Sequence, residues 1–288
     1  YNTKSNFVFL KNLKNKGLTN FEINFRQIND KLKNDLSKLI DTNNEYKGNM
    51  LVSLLGSEIK FQYNIKDNLI LLSSLKNEKN KSFFNGKIKT SPFNFNLKIN
   101  LDKLNVLNFM NYVSKIKIFF QKDILLHKSF NGEINFNVDN LTNTQIFDKS
   151  NINLKFSNGK LSFNNSILIS NKIGKLIVLD SQLSEIDNKK ILKEKFIFEI
   201  NNETNFYKKL QISKNYRKKI KNIYVEFEKD LDMDDYKINK FIINYNLKNN
   251  INYKEINLDK VFDLNEIRDL KNWIEFKNYS KQIFSEIN

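Results

Sequence analysis

Few side chains in this 288-residue chain are equipped for bond-making chemistry, so each can be weighed by itself. His127, in DILLHKSF, is the single imidazole. A Ser-His-Asp hydrolase would have to use it, but no GxSxG phrase accompanies it and the chain has no cysteine. One His without Cys is also a poor start for a zinc site. Four carboxylates crowd DLDMDDY, namely Asp230, Asp232, Asp234 and Asp235. The central Gly and the closing Glu of an EF-hand calcium loop are missing there, so the stretch reads as an acidic turn between strands. SKNYRKKIKNI gathers Lys214, Arg217, Lys218, Lys219 and Lys221. Such a run is either a solvated connection or a set of contacts to lipid phosphates, where each cation contributes about 1 kcal/mol near an anionic surface. No Gly-rich phosphate loop occurs anywhere. These residues point to no enzyme, no metal and no cofactor.

Composition narrows the rest. The formal net charge of +16 invites a nucleic-acid reading. The bias has a simpler origin, because the chain lacks Ala, holds three Arg, one Pro and seven Gly, and abounds in Lys, Asn, Ile and Phe. AT-rich codons would produce that pattern. Lysines are also scattered along strands, whereas a nucleic-acid footprint is clustered. Attraction to anionic head groups is the more economical use of such a surface. The chain opens on Tyr1, which reads as a portion of a longer protein. No apolar run approaches the roughly 18 residues of a membrane-spanning helix.

The elements that would position any site are strands. In PFNFNLKINL, Phe93, Phe95, Leu97, Ile99 and Leu101 point one way and Asn94, Asn96, Lys98 and Asn100 the other. Strict period-two alternation marks a sheet with one dry and one wet face. The pattern recurs at Ile134, Phe136 and Val138, at Ile152, Leu154 and Phe156, and at Leu161 and Phe163. It returns in the segments around Phe198, Val225 and Ile243. An Asn-Gly pair precedes three of these runs, in FNGKIKTS, FNGEINFNVDN and SNGKLSF, which predicts a turn at Gly86, Gly132 and Gly159. The expected fold is mainly β: a long, curved antiparallel sheet, a groove-like meander, with few short helices. NDKLKNDLSKLI and LDKLNVLNFMNYV carry helical spacing, and residues 263–288 read as a C-terminal helix. With no Pro/Gly/Ser-rich linker, the chain reads as a single region.

Five large apolar side chains on one strand, left in water, would forfeit roughly 7–15 kcal/mol. They need a cover, and the helices are too few to supply it. A sheet closing on itself and a curved sheet holding lipid chains both satisfy the alternation. The second makes Phe93, Phe95, Leu97, Ile99, Leu101, Ile134, Phe136, Val138, Ile152, Leu154, Phe156, Leu161 and Phe163 the candidate lipid-binding set, with the basic run at the head groups.

GKIKTSPFNFNLKI, FNGEINFNVDNL and LKFSNGKLSFNNSILISNKIGKLIVLDSQL, followed by NFYKKLQISKNYRKKIKNIYVEFEKDLD, KINKFIINY and a Trp273-bearing helix, resemble the AsmA-like proteins. The likeness is best over residues 83–262; residues 1–82 match only as generic alternating strands. The resemblance implies anchoring in the inner membrane of a Gram-negative bacterium, a β-groove in the periplasm and carriage of phospholipid towards the outer membrane. It also implies partners in the membrane and among envelope proteins, and none among nucleic acids. The rival expectations are a structural β-module without ligand, a basic nucleic-acid binder, and a hydrolase built around His127.

Overall fold

The computed structural model describes residues 6–11, 19–25, 30–37, 45–54, 57–74, 82–107, 125–233, 235–247, 250–256 and 273–286. Before residue 60 side chains are described only at residues 47–49, and in the last helix only from residue 277. The protein is mainly β. It divides into two compact units, residues 1–143 with 154–159, and residues 144–153 with 160–288. The division leaves no trace in composition, because its boundaries fall in the short connection after residue 142, inside a strand at residues 153–154 and at the turn of residues 158–159.

The first unit is a meander. Strands β1 (Asn6–Lys11), β2 (Thr19–Phe25), β3 (Asp30–Ser37), β4 (Glu45–Leu54), β5 (Ser57–Lys66), β6 (Leu69–Ser74), β7 (Phe83–Thr90) and β8 (Phe93–Asn105) pair antiparallel in succession. Strand β9 (Gly132–Thr142) then joins β8 in parallel. A purely antiparallel sheet was expected; the parallel pair is possible because residues 106–131 are long enough for a crossover. NDKLKNDLSKLI, read as helix from its leucine spacing, is strand β3, hydrogen-bonded to β2 and β4 on either side. Pairing on both edges outweighs a local propensity worth only tenths of a kcal/mol per residue. In LDKLNVLNFMNYV the strand continues to Asn105, helical backbone begins at residues 106–107, and the remainder lies outside the described residues.

The second unit begins with part of β10 (Lys149–Ser157), whose residues 149–151 pair with β12 (Ile167–Ser170). β11 (Lys160–Ser162) and β12 both pair with β13 (Gly174–Ile186). From β13 the chain runs antiparallel through β14 (Lys189–Ile200), β15 (Ile220–Asp230), β16 (Asp235–Leu247) and β17 (Asn250–Glu255). Helix α1 (Glu203–Leu210) connects β14 to β15, and α2 (Trp273–Glu286) is the C-terminal helix. The expected start of that helix, at residue 263, falls among residues 257–272, outside the described residues.

Helix α1 was not anticipated, although its signals are local. Asn202 holds an extended backbone and its side chain accepts from the Asn205 amide at 3.0 Å, closing the N-terminus. Phe206, Tyr207 and Leu210 form one buried stripe, and left-handed Gln211 ends the helix. Eight residues between two long strands were hidden by the stronger period-two pattern around them.

The three Asn-Gly phrases have three different fates. Asn158 and Gly159, at φ 52° and 75°, form the two-residue hairpin turn that was expected. Gly86 lies inside β7, where an added Cβ would stand 2.5 Å from the Leu97 Cδ2. Gly132 opens β9 opposite Phe95, and a Cβ there would meet the Phe95 carbonyl oxygen at 2.4 Å and its ring at 2.6 Å. Gly86 is there for close approach, and Gly132 both for close approach and for its φ of 153°. Gly132→Ala is therefore expected to lower stability by about 1–3 kcal/mol, by overpacking against backbone that cannot yield. Urea unfolding followed by circular dichroism measures this, with a shifted midpoint and an unchanged slope.

Candidate functional site

In the first unit, register assembles the expected apolar face. One row runs Ile65, Ile70, Ile88, Phe95 and Gly132 across five strands; the next runs Tyr63, Leu72, Gly86, Leu97 and Ile134. Phe84, Ile99 and Phe136 make a third, and Leu101 with Val138 a fourth. The parallel pairing of β8 with β9 keeps Phe95, Leu97, Ile99 and Leu101 in line with Gly132, Ile134, Phe136 and Val138. A slip of one residue would turn β9 inside out. The opposite face carries Asn94, Asn96, Lys98 and Asn100, and the Asn137 side chain donates to the Asn100 Oδ1 at 3.1 Å.

Cover on this face is uneven. Leu101 and Val138 are each 2% exposed and pack with Phe61 and Leu104. Phe95 is buried in an aromatic cluster, 5.0 Å from the Phe130 centroid and 5.6 Å from that of Phe156, and Phe130 meets Phe156 edge-on at 5.1 Å. Phe93 stacks on Phe130 at 5.6 Å yet remains 39% exposed. Between these sealed ends Leu97, Ile99, Ile134 and Phe136 are only half-buried. Leu154, also in this unit, is half-buried.

The second unit covers its apolar face with helices, contrary to the expectation that helices were too few. Leu176, Phe198, Ile223 and Ile243 form one row and Val178, Phe196, Val225 and Phe241 the next. Phe206, Tyr207 and Leu210 of α1 and Phe284 of α2 share their core, with Phe284 5.9 Å from Phe206 and 5.6 Å from Tyr207. Ile243 has no exposure at all. Among the candidate residues here, Leu161 is sealed opposite Leu183, while Ile152 and Phe163 are half-buried.

The basic run is drawn partly into this packing. Arg217 donates through Nε and Nη2 to the Ile212 carbonyl at 2.9 and 2.8 Å and lies 5.7 Å from the Tyr207 ring. The Lys218 ammonium stands 5.2 Å from the Tyr245 ring. Lys214, Lys219 and Lys221 are exposed. Tyr207 ties the segment down: its hydroxyl donates to the Lys218 carbonyl at 2.6 Å and accepts from the Lys218 amide at 3.0 Å.

His127 is exposed, its Nδ1 accepting from the Ser129 amide at 3.2 Å. The acidic stretch folds as a turn. Asp230 accepts from the Asp232 and Met233 amides, and Asp232 accepts from the Lys190 amide at 3.0 Å. No group of three metal-ligating side chains occurs among the described residues. None of the described helices is long and apolar enough to cross a membrane.

Two features escaped the sequence. A cavity of about 480 Å³ opens on the polar face of β4–β6, lined by Lys47, Asn49, Gln62, Asn64, Leu71 and Ser73. Glu194 shares the apolar face of β14, opposite Ser181 and Phe227, and burial raises its carboxyl above the usual range. The Ser181 hydroxyl beside it is buried without a hydrogen-bond partner. A single Glu in an alternating strand leaves no signal beyond its parity with Phe196 and Phe198.

No family model matches the chain, and neither a curated protein nor a solved structure matches it.

Two pH responses follow. Burial pushes the Tyr207 phenol up to about 12, against an ordinary value of 10.0. A pKa raised by folding contributes stability that is complete below the unfolded value and is lost as pH climbs through the folded one. Tyr207→Phe should cost about 1–3 kcal/mol at neutral pH by orphaning the Lys218 amide and carbonyl. In thermal melts it should also remove the extra loss of stability expected of the unaltered chain between about pH 10 and 12. Glu194 obeys the same sign. Glu194→Gln should be the more stable protein at pH 7 and equal to the unaltered chain at a pH low enough to protonate the Glu194 carboxyl in the folded and unfolded states alike, read by denaturant titration at the two pH values.

Proposed function

We propose that this chain is a non-enzymatic lipid-binding protein of the AsmA-like kind. In this reading it carries phospholipid with acyl chains against the apolar face of its first unit. The observation that carries the proposal is the set of in-register apolar rows on β5–β9, sealed at both ends and only half-buried at Leu97, Ile99, Ile134 and Phe136. The hydrocarbon side chains Leu97, Ile99, Ile134 and Phe136 give a lipid tail many weak contacts and no fixed stop. That suits sliding transfer, and no bond has to break. The proposal includes, as what the residue-level resemblance implies, a periplasmic location, an inner-membrane anchor and work towards outer-membrane assembly with envelope partners.

A second reading, a structural β-module without ligand, draws support from the second unit, where α1 and α2 already cover the apolar rows. The two readings part on the first unit alone.

Native mass spectrometry of the purified chain should show bound phospholipid. Leu97→Asn with Ile134→Asn, a cross-strand pair in the half-buried middle, should weaken lipid affinity about 30-fold, since two contacts of about 1 kcal/mol each are lost. The melting temperature should fall by only a few degrees. Phe95 is unsuited to this test, because it is fully packed and its loss would unfold the unit. Lipid-free protein, or undiminished lipid in the double variant, would leave the structural reading in possession.

A further inference from the structure

The second unit concentrates positive charge at one end of α1. Residues 204–221 hold seven cations and no carboxylate. The fold bends this stretch back on itself, since the Tyr207 hydroxyl binds the Lys218 backbone from both sides. It also brings in a cation remote in sequence: Lys277 of α2 donates to the Gln211 side chain at 3.2 Å, beside the end of α1. Not every cation is available to a partner. Arg217 holds the Ile212 carbonyl, Lys218 lies by the Tyr245 ring and Lys209 reaches Gln145 at 3.4 Å. Lys208, Lys214, Lys219 and Lys221 remain exposed, with no ion pair among the described residues. In the short 3-10 turn Lys214–Tyr216 the Tyr216 ring is 40% exposed.

We propose that this surface docks the protein on an anionic bilayer. Lys208, Lys214, Lys219 and Lys221 meet lipid phosphates while Tyr216 rests at the head-group level. The chemistry favours a membrane over a nucleic acid for two reasons. The one arginine of the patch, the side chain suited to bidentate recognition of phosphate, is turned onto a backbone carbonyl. What remains is a set of flexible point charges around one amphipathic ring, which fits a laterally fluid array of charges and the interfacial position tyrosine prefers. The inference stands apart from the acyl-chain reading, because it concerns the other unit and a surface, not a hydrocarbon contact.

The test is flotation of the 288-residue chain with two kinds of vesicle, phosphatidylcholine alone and phosphatidylcholine with about one-third phosphatidylglycerol. Binding is expected to the second only. It should vanish when salt rises from about 0.15 M to about 1 M, which shortens screening from about 8 Å to about 3 Å. Each lysine changed to glutamine should weaken binding about fivefold, and the set Lys208→Gln, Lys214→Gln, Lys219→Gln and Lys221→Gln on the order of 100-fold or more. The corresponding four arginine substitutions should restore it. Flotation reads this surface and native mass spectrometry reads the acyl-chain face, which keeps failure of the one distinct from failure of the other. Equal binding to both vesicles, or salt-insensitive binding, would overturn the proposal on the unaltered protein alone. So would a glutamine set that binds normally, or tighter binding to a DNA duplex than to anionic vesicles.

Discussion

Alternation obliges every strand of this protein to find cover for one of its two faces, and the rest of the architecture follows from how that obligation is met. In the second unit the cover is side chains from α1 and α2, and the core closes to the point where Ile243 is wholly enclosed. In the first unit aromatic packing closes one end around Phe95 and aliphatic packing closes the other around Leu101 and Val138. The middle rows keep part of their surface. A half-buried Phe or Ile forfeits a share of its 1.5–3 kcal/mol. That cost persists where another molecule collects it, and this is the energetic basis for reading the middle rows as a binding face.

The wet faces obey different physics. In the second unit lysines and carboxylates sit opposite each other across strands: Lys175 with Glu199 at 3.2 Å, Lys193 with Glu228 at 3.3 Å, and Lys195 with both Asp180 and Glu226 at 3.9 Å. Solvent-exposed pairs of this kind are worth about 0–1 kcal/mol each, so they fix register more than they stabilise. Pairing also neutralises these three lysines locally. The surplus of the +16 charge is therefore felt where pairing stops, and residues 204–221, without a single carboxylate, are such a place.

Polar groups within apolar faces are few and each has a visible consequence. The Tyr207 phenol, buried among Phe206 and Phe284, is tolerable because both of its hydrogen-bonding roles are filled by Lys218. Glu194 has no such arrangement and responds by holding its proton more tightly.

Sequence alone determined that this is a β-protein, which side of β8 and β9 is dry, and that residues 273–286 are helical, because side-chain parity and helical spacing are properties of the local chain. Phe93 to Leu101 could be assigned to one face before any fold was known. Tertiary structure decided everything that depends on what lies across a hydrogen bond or above a face. Edge pairing turned Asp30–Ser37 into a strand despite its leucine spacing. The same Asn-Gly phrase became a turn at Gly159 but a close-packed strand position at Gly86 and Gly132, since only the neighbouring strand shows that Leu97 or Phe95 lies over it. Parallel pairing of β9 and the helical cover of the second unit depend on contacts between residues distant in sequence. Local periodicity carries no record of these, because the free energy of burial depends on which surface is opposite and not on the order in which it was made.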